Sequence, residues 1–386
     1  MAPIRISIVT ETYVPDVNGV ANSLRQLIQA LDPERYRIQI IRTRPRTDWT
    51  PDAEEVWVPG VTIPMYPDLQ LGLPARRRVT AAWRQFQPQL VFIATEGPLG
   101  YSALKQAQRL GLPVLSAFHT NFHRYSSYYG LGWIKTLTLA WLRRFHNQTL
   151  ATLVPSAESA QCLQQSGFDN VHVLPHGVDC ELFHPRRRSC ELRRQWQVAE
   201  QHPVALYVGR IAVEKNIPQV IDSFRAQQSL HPELRLVMVG DGPLKAQLQQ
   251  QYPDIIFAGV QTGEALARCY ASADLFVFAS QTETFGLVTL EAMASGLPVV
   301  AYDLAAASQY VRSGEDGFLA ETDDGPGFTQ ALSLLLSHDW RTAGRAARQR
   351  AESASWASVG IQFDQHVGRA LKARRETISV EIQTMV

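Results

Sequence analysis

Two short apolar runs enclose a helix-forming segment in the second half of the chain, and this order restricts the possible folds strongly. The runs, residues 274–278 and 297–301, have the length and apolar character of buried parallel strands. Between them Leu287, Leu290 and Ala294 recur at i, i+3 and i+7, the spacing of one helix face. Strand, helix and strand in this order build a parallel sheet covered by helices, so the segment predicts an α/β fold.

Two glutamates lie near the start of this helix. Glu283 falls in the loop before it, and Glu291 about two turns inside it. A helix N-terminus has unpaired backbone N–H groups that favour an anion such as a diphosphate. Glu291 lacks an obvious local cation, and hydroxyl groups of a sugar or ribose would supply a partner. A capping acid and a solvated helix acid are the simpler interpretation. The residues expected to present these N–H groups are Phe285, Gly286, Leu287 and Val288.

The composition is that of an ordinary globular protein. At 386 residues, with 45% hydrophobic residues and a net charge of +1, the chain suits two domains and lacks the basic excess of a nucleic-acid binder. No apolar run reaches the roughly 18 residues that span a bilayer, and the first residues lack a signal-peptide pattern, so we expect a cytoplasmic protein. The four cysteines form no C-x-x-C pair and no D-x-D tripeptide occurs, so we expect no metal site.

The first half predicts its own doubly wound sheet. Residues 4–9 predict a strand, followed by a loop that ends at Gly19 and by a helix, and ligands of such sheets lie beyond the carboxyl ends of the strands. Gly19 would let the backbone approach a phosphate closely, although a simple turn glycine is the commoner case. Glu96 and His119 follow later strands at the same edge, where a helix-start acid and a structural histidine are the alternatives. The proline-rich stretch 45–74 predicts irregular structure.

Two cations share one loop at the start of the second half. Residues 204–208 predict a strand that leads into Arg210 and Lys215 before the next helix. An arginine can grip a diphosphate with two N–H groups, and a lysine can neutralise it as a point charge. Two solvated surface cations are the alternative.

Four strings in the chain resemble one family of enzymes. They are the Glu-x7-Glu segment 283–296, Gly-Arg-x-x-x-Glu-Lys-Asn at 209–216, the histidine-containing segment 116–125, and Gly-Val-Asp-x-x-x-Phe-x-Pro at 177–185. Together they resemble retaining glycosyltransferases of the family 4 type, which have the GT-B architecture. The similarity extends over about residues 4–371. Within that class the chain resembles bacterial GDP-mannose-dependent α-mannosyltransferases, many of which act on lipid acceptors.

The resemblance implies two facing Rossmann-like, doubly wound domains. Residues 1–180 would form the acceptor-side domain, joined by a C-terminal helix at about 356–373 that crosses back to it. Residues 181–355 would form the domain that binds the nucleotide sugar.

The resemblance also implies roles for the candidate residues. Arg210 and Lys215 would stabilise the charge that develops on the departing diphosphate. Glu283 would hold hydroxyl groups of the donor sugar and Glu291 those of the ribose. His119 would contact the donor sugar from the opposite domain. Domain closure would bring these groups together and exclude water.

The remaining predictions concern the nucleoside, the acceptor and the membrane. Val260 would mark the strand end at which the family binds the nucleotide base. The nucleotide sugar is a substrate, so no cofactor is expected, and the acceptor is a lipid or a saccharide. The aromatic and basic residues of 133–146 would attach the protein peripherally to the inner membrane face, with core packing as the alternative. The implied acceptor-side residues are Tyr13, Glu96 and His123.

One departure from the pattern keeps a second donor open. Leu287 stands where the α-mannosyltransferases often carry Asn, beside the expected diphosphate, so a UDP-sugar-dependent transferase is the first alternative. A nucleotide-sugar epimerase and an inactive nucleotide-sugar-binding protein are alternatives from other classes. A dinucleotide-dependent dehydrogenase is disfavoured, because no G-x-G-x-x-G follows the first strand.

Overall fold

The computed structural model describes residues 2–16, 18–51, 54–63, 66–119, 132–283 and 285–385. The chain divides into two compact units. Unit 1 consists of Met1–His176 and Trp356–Val386, and unit 2 is the continuous segment Gly177–Ser355. The boundary between them thus falls after His176, four residues before the expected position 180.

Unit 1 is built on a seven-stranded parallel sheet with the strand order β3-β2-β1-β6-β7-β8-β9. A separate antiparallel pair, β4 and β5, follows β3 in the chain. The strands are β1 Ile4–Val9, β2 Tyr36–Thr43, β3 Glu54–Val58, β4 Gly60–Ile63, β5 Tyr66–Gly72, β6 Leu90–Ile93, β7 Val114–Ala117, β8 Ala151–Val154 and β9 Val171–Val173. The helices are α1 Gly19–Gln29, α2 Arg76–Phe86, α3 Pro98–Arg109, α4 Gly132–His146 and α5 Ala157–Gln165.

The central strands of this sheet are mostly apolar, as expected of parallel strands that helices cover on both faces. All four residues of β6, β7 and β8 are buried. Short strand-to-helix loops then set where each helix begins. Asn18, for example, caps α1, since its side-chain oxygen accepts a hydrogen bond from the Ala21 N–H at 2.9 Å.

Unit 2 repeats this plan with a six-stranded parallel sheet of order β12-β11-β10-β13-β14-β15. Its strands are β10 Val204–Val208, β11 Arg235–Val239, β12 Ile256–Gly259, β13 Leu275–Phe278, β14 Val299–Tyr302 and β15 Gly317–Ala320. Its helices are α6 Cys190–Gln195, α7 Ile217–Gln228, α8 Lys245–Gln251, α9 Gly263–Ser272, α10 Leu287–Ala294, α11 Ala305–Tyr310, α12 Gly325–Ser337 and α13 Trp340–Ser353. Two short 3-10 turns cover Pro185–Arg187 and Val213–Lys215.

The predicted helix between two buried strands is α10, and glycines limit it at both ends. Gly286 precedes it with φ 85° and Gly296 follows it with φ 81°, both in the left-handed region that favours glycine. Leu290 and Ala294 are fully buried in the core of unit 2, while Leu287 is half-buried. The doubly wound α/β architecture predicted from the sequence is therefore confirmed.

The last helix returns to unit 1. This helix, α14, covers Trp356–Met385, longer than the predicted 356–373. Val359, Phe363 and Val367 are buried in the core of unit 1, and the Phe363 ring meets that of Phe92 edge-on at 5.1 Å. Apolar residues four positions apart share one face of α14, and this face packs the helix against the core of unit 1.

The prediction of irregular structure for 45–74 was wrong. This stretch contains β3, which pairs in parallel with β2, and the antiparallel pair of β4 with β5. Its prolines do not prevent strand formation: Pro59 lies between β3 and β4, where it interrupts neither strand, and Pro67 is the second residue of β5. Over the part of the chain that the structure describes, no helix combines the length and the apolar character needed to cross a bilayer.

Candidate active site

In unit 2, Lys215 and Glu283 meet at the carboxyl ends of two neighbouring strands. Lys215 follows β10 and Glu283 follows β13, and these strands pair directly. The Lys215 ammonium donates to the Glu283 carboxylate in a close ion pair whose side chains are 19% and 16% exposed. The ammonium also lies 5.7 Å from the centroid of the Phe278 ring. A cation and an acid thus share one partly desolvated position at the edge where such sheets bind ligands.

The chain enters α10 through a glycine. Gly286, the N-cap residue, adopts a left-handed conformation with φ 85° and has no side chain with which to cap the helix. Phe285 is buried against Tyr310, with ring centroids 6.3 Å apart, and its carbonyl accepts from the Ala306 N–H at 2.7 Å. These contacts fix Phe285 beside the first turn of α10, where Leu287 and Val288 are half-buried, and a helix N-terminus favours an anion.

Glu291 lies inside α10 and accepts a hydrogen bond from a neighbouring helix. The Tyr270 hydroxyl of α9 donates to the Glu291 carboxylate at 2.9 Å. Burial raises the pKa of Glu291 to about 7, and the hydrogen bond from Tyr270 opposes that rise. Since a carboxylate accepts several hydrogen bonds, Glu291 retains capacity for hydroxyl groups of a ligand.

Arg210 is oriented differently from Lys215, although both follow β10. Its guanidinium forms an ion pair with Glu214 at 3.1 Å, and its side chain is 62% exposed. The Arg210 carbonyl accepts from the buried Tyr207 hydroxyl at 2.9 Å. The backbone at position 210 is therefore fixed. The guanidinium lies at the surface in a weak ion pair with Glu214, and a bound anion can replace Glu214 as its partner.

A close packing of two loops beside this site was not predicted. A Cβ atom at Gly240 would lie 1.9 Å from the Gly209 carbonyl oxygen, and one at Gly242 would lie 2.3 Å from the Ile211 oxygen. The Ile211 N–H donates to the Asp241 carbonyl at 2.9 Å. The two glycines of Gly-Asp-Gly after β11 were the signal for this contact, because only glycine allows such an approach. Val260, after β12, is 64% exposed beyond Gly259.

In unit 1, His119 stands at the carboxyl end of β7 and stacks on a second histidine. The rings of His119 and His176 lie 5.8 Å apart at 30°, and His176 meets Trp356 at 6.1 Å. The two histidines line a cavity of about 30 Å³ whose other walls are mostly apolar. Burial lowers the pKa of His119 to about 4 and that of His176 to about 3, so both rings are neutral at physiological pH.

The structure places the other first-half candidates at several positions. Gly19 opens α1, and a Cβ atom there would meet no atom within 4 Å among the described residues that pack around it, so their packing does not require the glycine. Glu96 is half-buried in the turn before α3. Tyr13 is only 1% exposed and packs in the core of unit 1, so an acceptor contact through its ring is not supported. His123 lies outside the described residues.

Glu11, beside Glu96, was missed at the level of sequence. Its carboxylate accepts from the Leu99 N–H at 3.3 Å in the first turn of α3. Burial raises the pKa of Glu11 to about 7, and the nearby Glu96 contributes to that rise. The available signal was an acid directly after the first strand. Across the described ranges, no three His, Cys, Asp or Glu side chains are grouped so that they could hold a metal ion.

This fold, with an acid and a cation at the strand ends of unit 2, is that of a GT-B glycosyltransferase, and comparison with protein families agrees. The description "Glycosyltransferase Family 4" matches residues 17–182, and "Glycosyl transferases group 1" matches residues 189–354. The chain belongs to this family and is a glycosyltransferase.

Two relatives share nearly the whole chain. A GDP-mannose-dependent alpha-mannosyltransferase of Mycolicibacterium smegmatis is 34% identical over 379 residues, covering 96% of this chain and 98% of the relative. The enzyme of that name from Mycobacterium tuberculosis is 33% identical over 383 residues, covering 98% and 99%. Among solved structures, a sucrose-phosphate synthase from Thermosynechococcus elongatus superposes with a TM-score of 0.75 at 20% identity, covering 96% of this chain and 100% of that chain.

Proposed function

We propose that this glycosyltransferase moves mannose from GDP-mannose to a hydroxyl group of a glycolipid, with retention at the anomeric carbon. Three relatives that are 32% to 34% identical carry the name GDP-mannose-dependent alpha-mannosyltransferase. The acceptor class has support from relatives that include an alpha-monoglucosyldiacylglycerol synthase of Streptococcus pneumoniae, 28% identical over 315 residues. The structural observation that carries the proposal is the Lys215–Glu283 ion pair beside the start of α10.

The chemical problem is the departure of a diphosphate while positive charge builds on the sugar. The bond from the anomeric carbon to the phosphate oxygen breaks, and both electrons remain with the diphosphate. The Lys215 ammonium and the first N–H groups of α10 would stabilise that charge, with Arg210 released from Glu214 to join them. The acceptor hydroxyl then bonds to the same face of the anomeric carbon, and its proton passes to an oxygen of the departing diphosphate.

The acids and the histidine would orient the donor. Glu283 would accept hydrogen bonds from hydroxyl groups of the mannose, and Glu291, held by Tyr270, from those of the ribose. His119 is neutral because burial lowers its pKa to about 4, so its ring can both donate to and accept from a sugar hydroxyl. We propose that these groups act without a metal ion, since the protein's cations and amides supply the positive charge.

The acceptor would be reached at a membrane surface through α4. Leu137 is 61% exposed and Trp141 40% exposed on this helix, while Leu142 and Phe145 are buried. Exposed basic side chains, Arg143 and Arg144, occupy its last turns. One side of α4 thus anchors it to unit 1, and the other combines apolar and cationic groups as interfacial helices do.

Donor preference tests the proposal directly. The wild-type chain should release GDP from GDP-mannose in the presence of detergent-solubilised glycolipids, and the mannosylated lipid should appear by mass spectrometry. A thermal-shift series with GDP-mannose, UDP-glucose and UDP-N-acetylglucosamine should show the largest increase in Tm for GDP-mannose. If the enzyme turns over a UDP-sugar and does not turn over GDP-mannose, the donor assignment is refuted. That result would favour the UDP-sugar-dependent transferase that Leu287 leaves open. Sugar interconversion without an acceptor would indicate an epimerase.

A further inference from the structure

Arg42, at the end of β2, is a fully buried cation. Its guanidinium donates to the Thr43 carbonyl at 3.0 Å and to the Val14 carbonyl, and lies 3.5 Å from the Asp16 carboxylate. The Tyr13 ring lies 5.7 Å from the guanidinium carbon. Three of these four partners, Tyr13, Val14 and Asp16, belong to the loop between β1 and α1. The buried Arg42 guanidinium therefore contacts that loop from the protein interior.

The contacts continue from Arg42 to the start of α1. The Asp16 carboxylate accepts from the Thr12 hydroxyl at 3.1 Å and from the Tyr13 N–H at 3.3 Å. The Asn18 side-chain amide donates to the Thr12 hydroxyl at 2.6 Å. Asn18 is also the cap of α1. One continuous network therefore joins a buried guanidinium to the residue that precedes Gly19.

Stability alone does not explain a charge at this position. Burying a guanidinium costs free energy, and an apolar side chain of similar volume is often at least as stabilising. What the guanidinium adds is geometric, because its five N–H groups in a rigid plane can fix several loop oxygens at once. A loop that only connected a strand to a helix would not require that precision.

We infer that Arg42 is a positioning residue that fixes the β1–α1 loop, residues 10–16 and 18, and so sets the start of α1 at Gly19 for the transfer reaction. The inference rests on the proposed function, together with the expectation from the sequence that the backbone at Gly19 approaches a phosphate of the donor. Arg42 itself is fully buried and acts through the loop.

A matched pair of substitutions tests this assignment in the full-length protein. Arg193, in unit 2, is also buried, at 1% exposed, and its guanidinium donates to the Ser272 and Ala199 carbonyls, both at 2.8 Å. Arg42→Lys and Arg193→Lys both keep a buried cation and lose the planar fork. Arg42→Lys should lower kcat/KM by at least about tenfold, since small misplacements of reacting groups are costly, while Arg193→Lys should leave it within about twofold of wild type.

Hydrogen exchange supplies a readout that is independent of activity. Peptides covering residues 10–18 should exchange faster in Arg42→Lys than in wild type, and remain protected in Arg193→Lys. Asn18→Ala combined with Arg42→Lys should lose less activity than the product of the single losses, because both act through one loop. Should Arg42→Lys fold poorly, Asp16→Asn interrupts the same network at a side chain that is 20% exposed.

The outcomes distinguish a failure of the proposed function from a failure of the role of Arg42. If the wild-type chain turns over no nucleotide sugar, the proposed function fails. Faster hydrogen exchange in Arg42→Lys that is confined to the β1–α1 loop would still show that Arg42 holds this loop in place. If the wild type is active and Arg42→Lys matches Arg193→Lys in kcat/KM, the positioning role is overturned. Fully multiplicative losses in the Asn18 combination would overturn it as well.

Discussion

Lys215 and Glu283 are separated by 68 residues in the chain, yet their charged groups form an ion pair in unit 2. Each follows a strand of the same sheet, and these strands, β10 and β13, are direct neighbours. Both side chains are less than one-fifth exposed, so their charges interact in a partly desolvated environment. The pair therefore places a cation for phosphate and an acid for hydroxyl groups within reach of one ligand.

Removing either member of this pair should abolish most activity. Lys215→Gln should lower kcat/KM by at least about 100-fold, since it deletes a preorganised charge at the leaving group. Glu283→Gln should give a loss of similar size. Asp254→Asn is the control, because it breaks the more exposed Arg225–Asp254 pair of the same unit, at 2.6 Å. Steady-state kinetics with GDP-mannose measure all three, and a Lys215→Gln enzyme as active as Asp254→Asn would contradict the assignment.

The protonation of Glu291 should make GDP affinity depend on pH. Ribose hydroxyl groups donate to the ionised carboxylate, so affinity should increase as pH rises through about 7, the pKa of Glu291. Tyr270→Phe removes the hydrogen bond that stabilises the carboxylate, and should move this midpoint to higher pH. Calorimetric titration of GDP between about pH 5.5 and 8.5 follows both effects. A midpoint unchanged by Tyr270→Phe would show that Glu291 does not control the dependence.

The sequence predicted the sheets well because buried parallel strands are continuous apolar runs. Residues 204–208 and 4–9 coincide with β10 and β1, and α10 lies where the apolar spacing placed it. The Lys215–Glu283 contact could be predicted from the sequence only in part. The order of strand and loop predicted that both residues reach the same edge, while their pairing depends on the adjacency of β10 and β13, a long-range property.

Features that depend on the surroundings of a side chain were not predictable. Nothing in the string around Arg42 shows that its guanidinium is buried, since that depends on the loop folding over it. Arg210 looked equivalent to Lys215, and the structure pairs it with Glu214, four residues further along the same loop. Tyr13 was expected on the acceptor side from the family resemblance, whereas its ring is in the core. Local strings specify elements, and three-dimensional packing decides what each side chain meets.

Buried neutral histidines should make unit 1 sensitive to acid. His146 is fully buried, its Nδ1 lies 2.9 Å from the Ser116 hydroxyl, and burial lowers its pKa to about 3. The unfolded chain binds a proton near pH 6.5 and the folded chain does not, so the contribution of His146 is present above about pH 6.5 and is lost as pH falls towards about 3. The slope is roughly 1.4 kcal/mol per pH unit for one such group.

A substitution isolates that contribution. His146→Gln should unfold more readily than wild type at pH 7 but show a flatter decline of stability between about pH 6 and 4.5. Urea unfolding followed by circular dichroism at several pH values measures the slope. His231→Gln, on a loop of unit 2, serves as the control and should keep the wild-type slope. Equal slopes in wild type and His146→Gln would contradict the assignment.

The proposed neutralisation of the diphosphate by protein groups predicts a reaction that is insensitive to chelators. The rate of GDP release should change by less than about twofold after dialysis against EDTA, because Lys215 and the first turn of α10 provide the positive charge. Added Mg²⁺ should likewise have little effect on the donor KM. Loss of activity in EDTA that Mg²⁺ or Mn²⁺ restores would instead indicate a metal-bound donor.

Attachment to the membrane should depend on the exposed side of α4. Trp141→Glu places a charge where the proposal requires an apolar contact, so affinity for vesicles with anionic lipids should fall by about tenfold or more, consistent with the burial of one large apolar side chain. Ile361→Glu is the control, since Ile361 is 63% exposed on α14 of the same unit. Vesicle sedimentation at low and high salt measures both variants, and raised salt should weaken wild-type binding because basic groups contribute to it. Equal binding of Trp141→Glu and Ile361→Glu would show that α4 does not face the lipid.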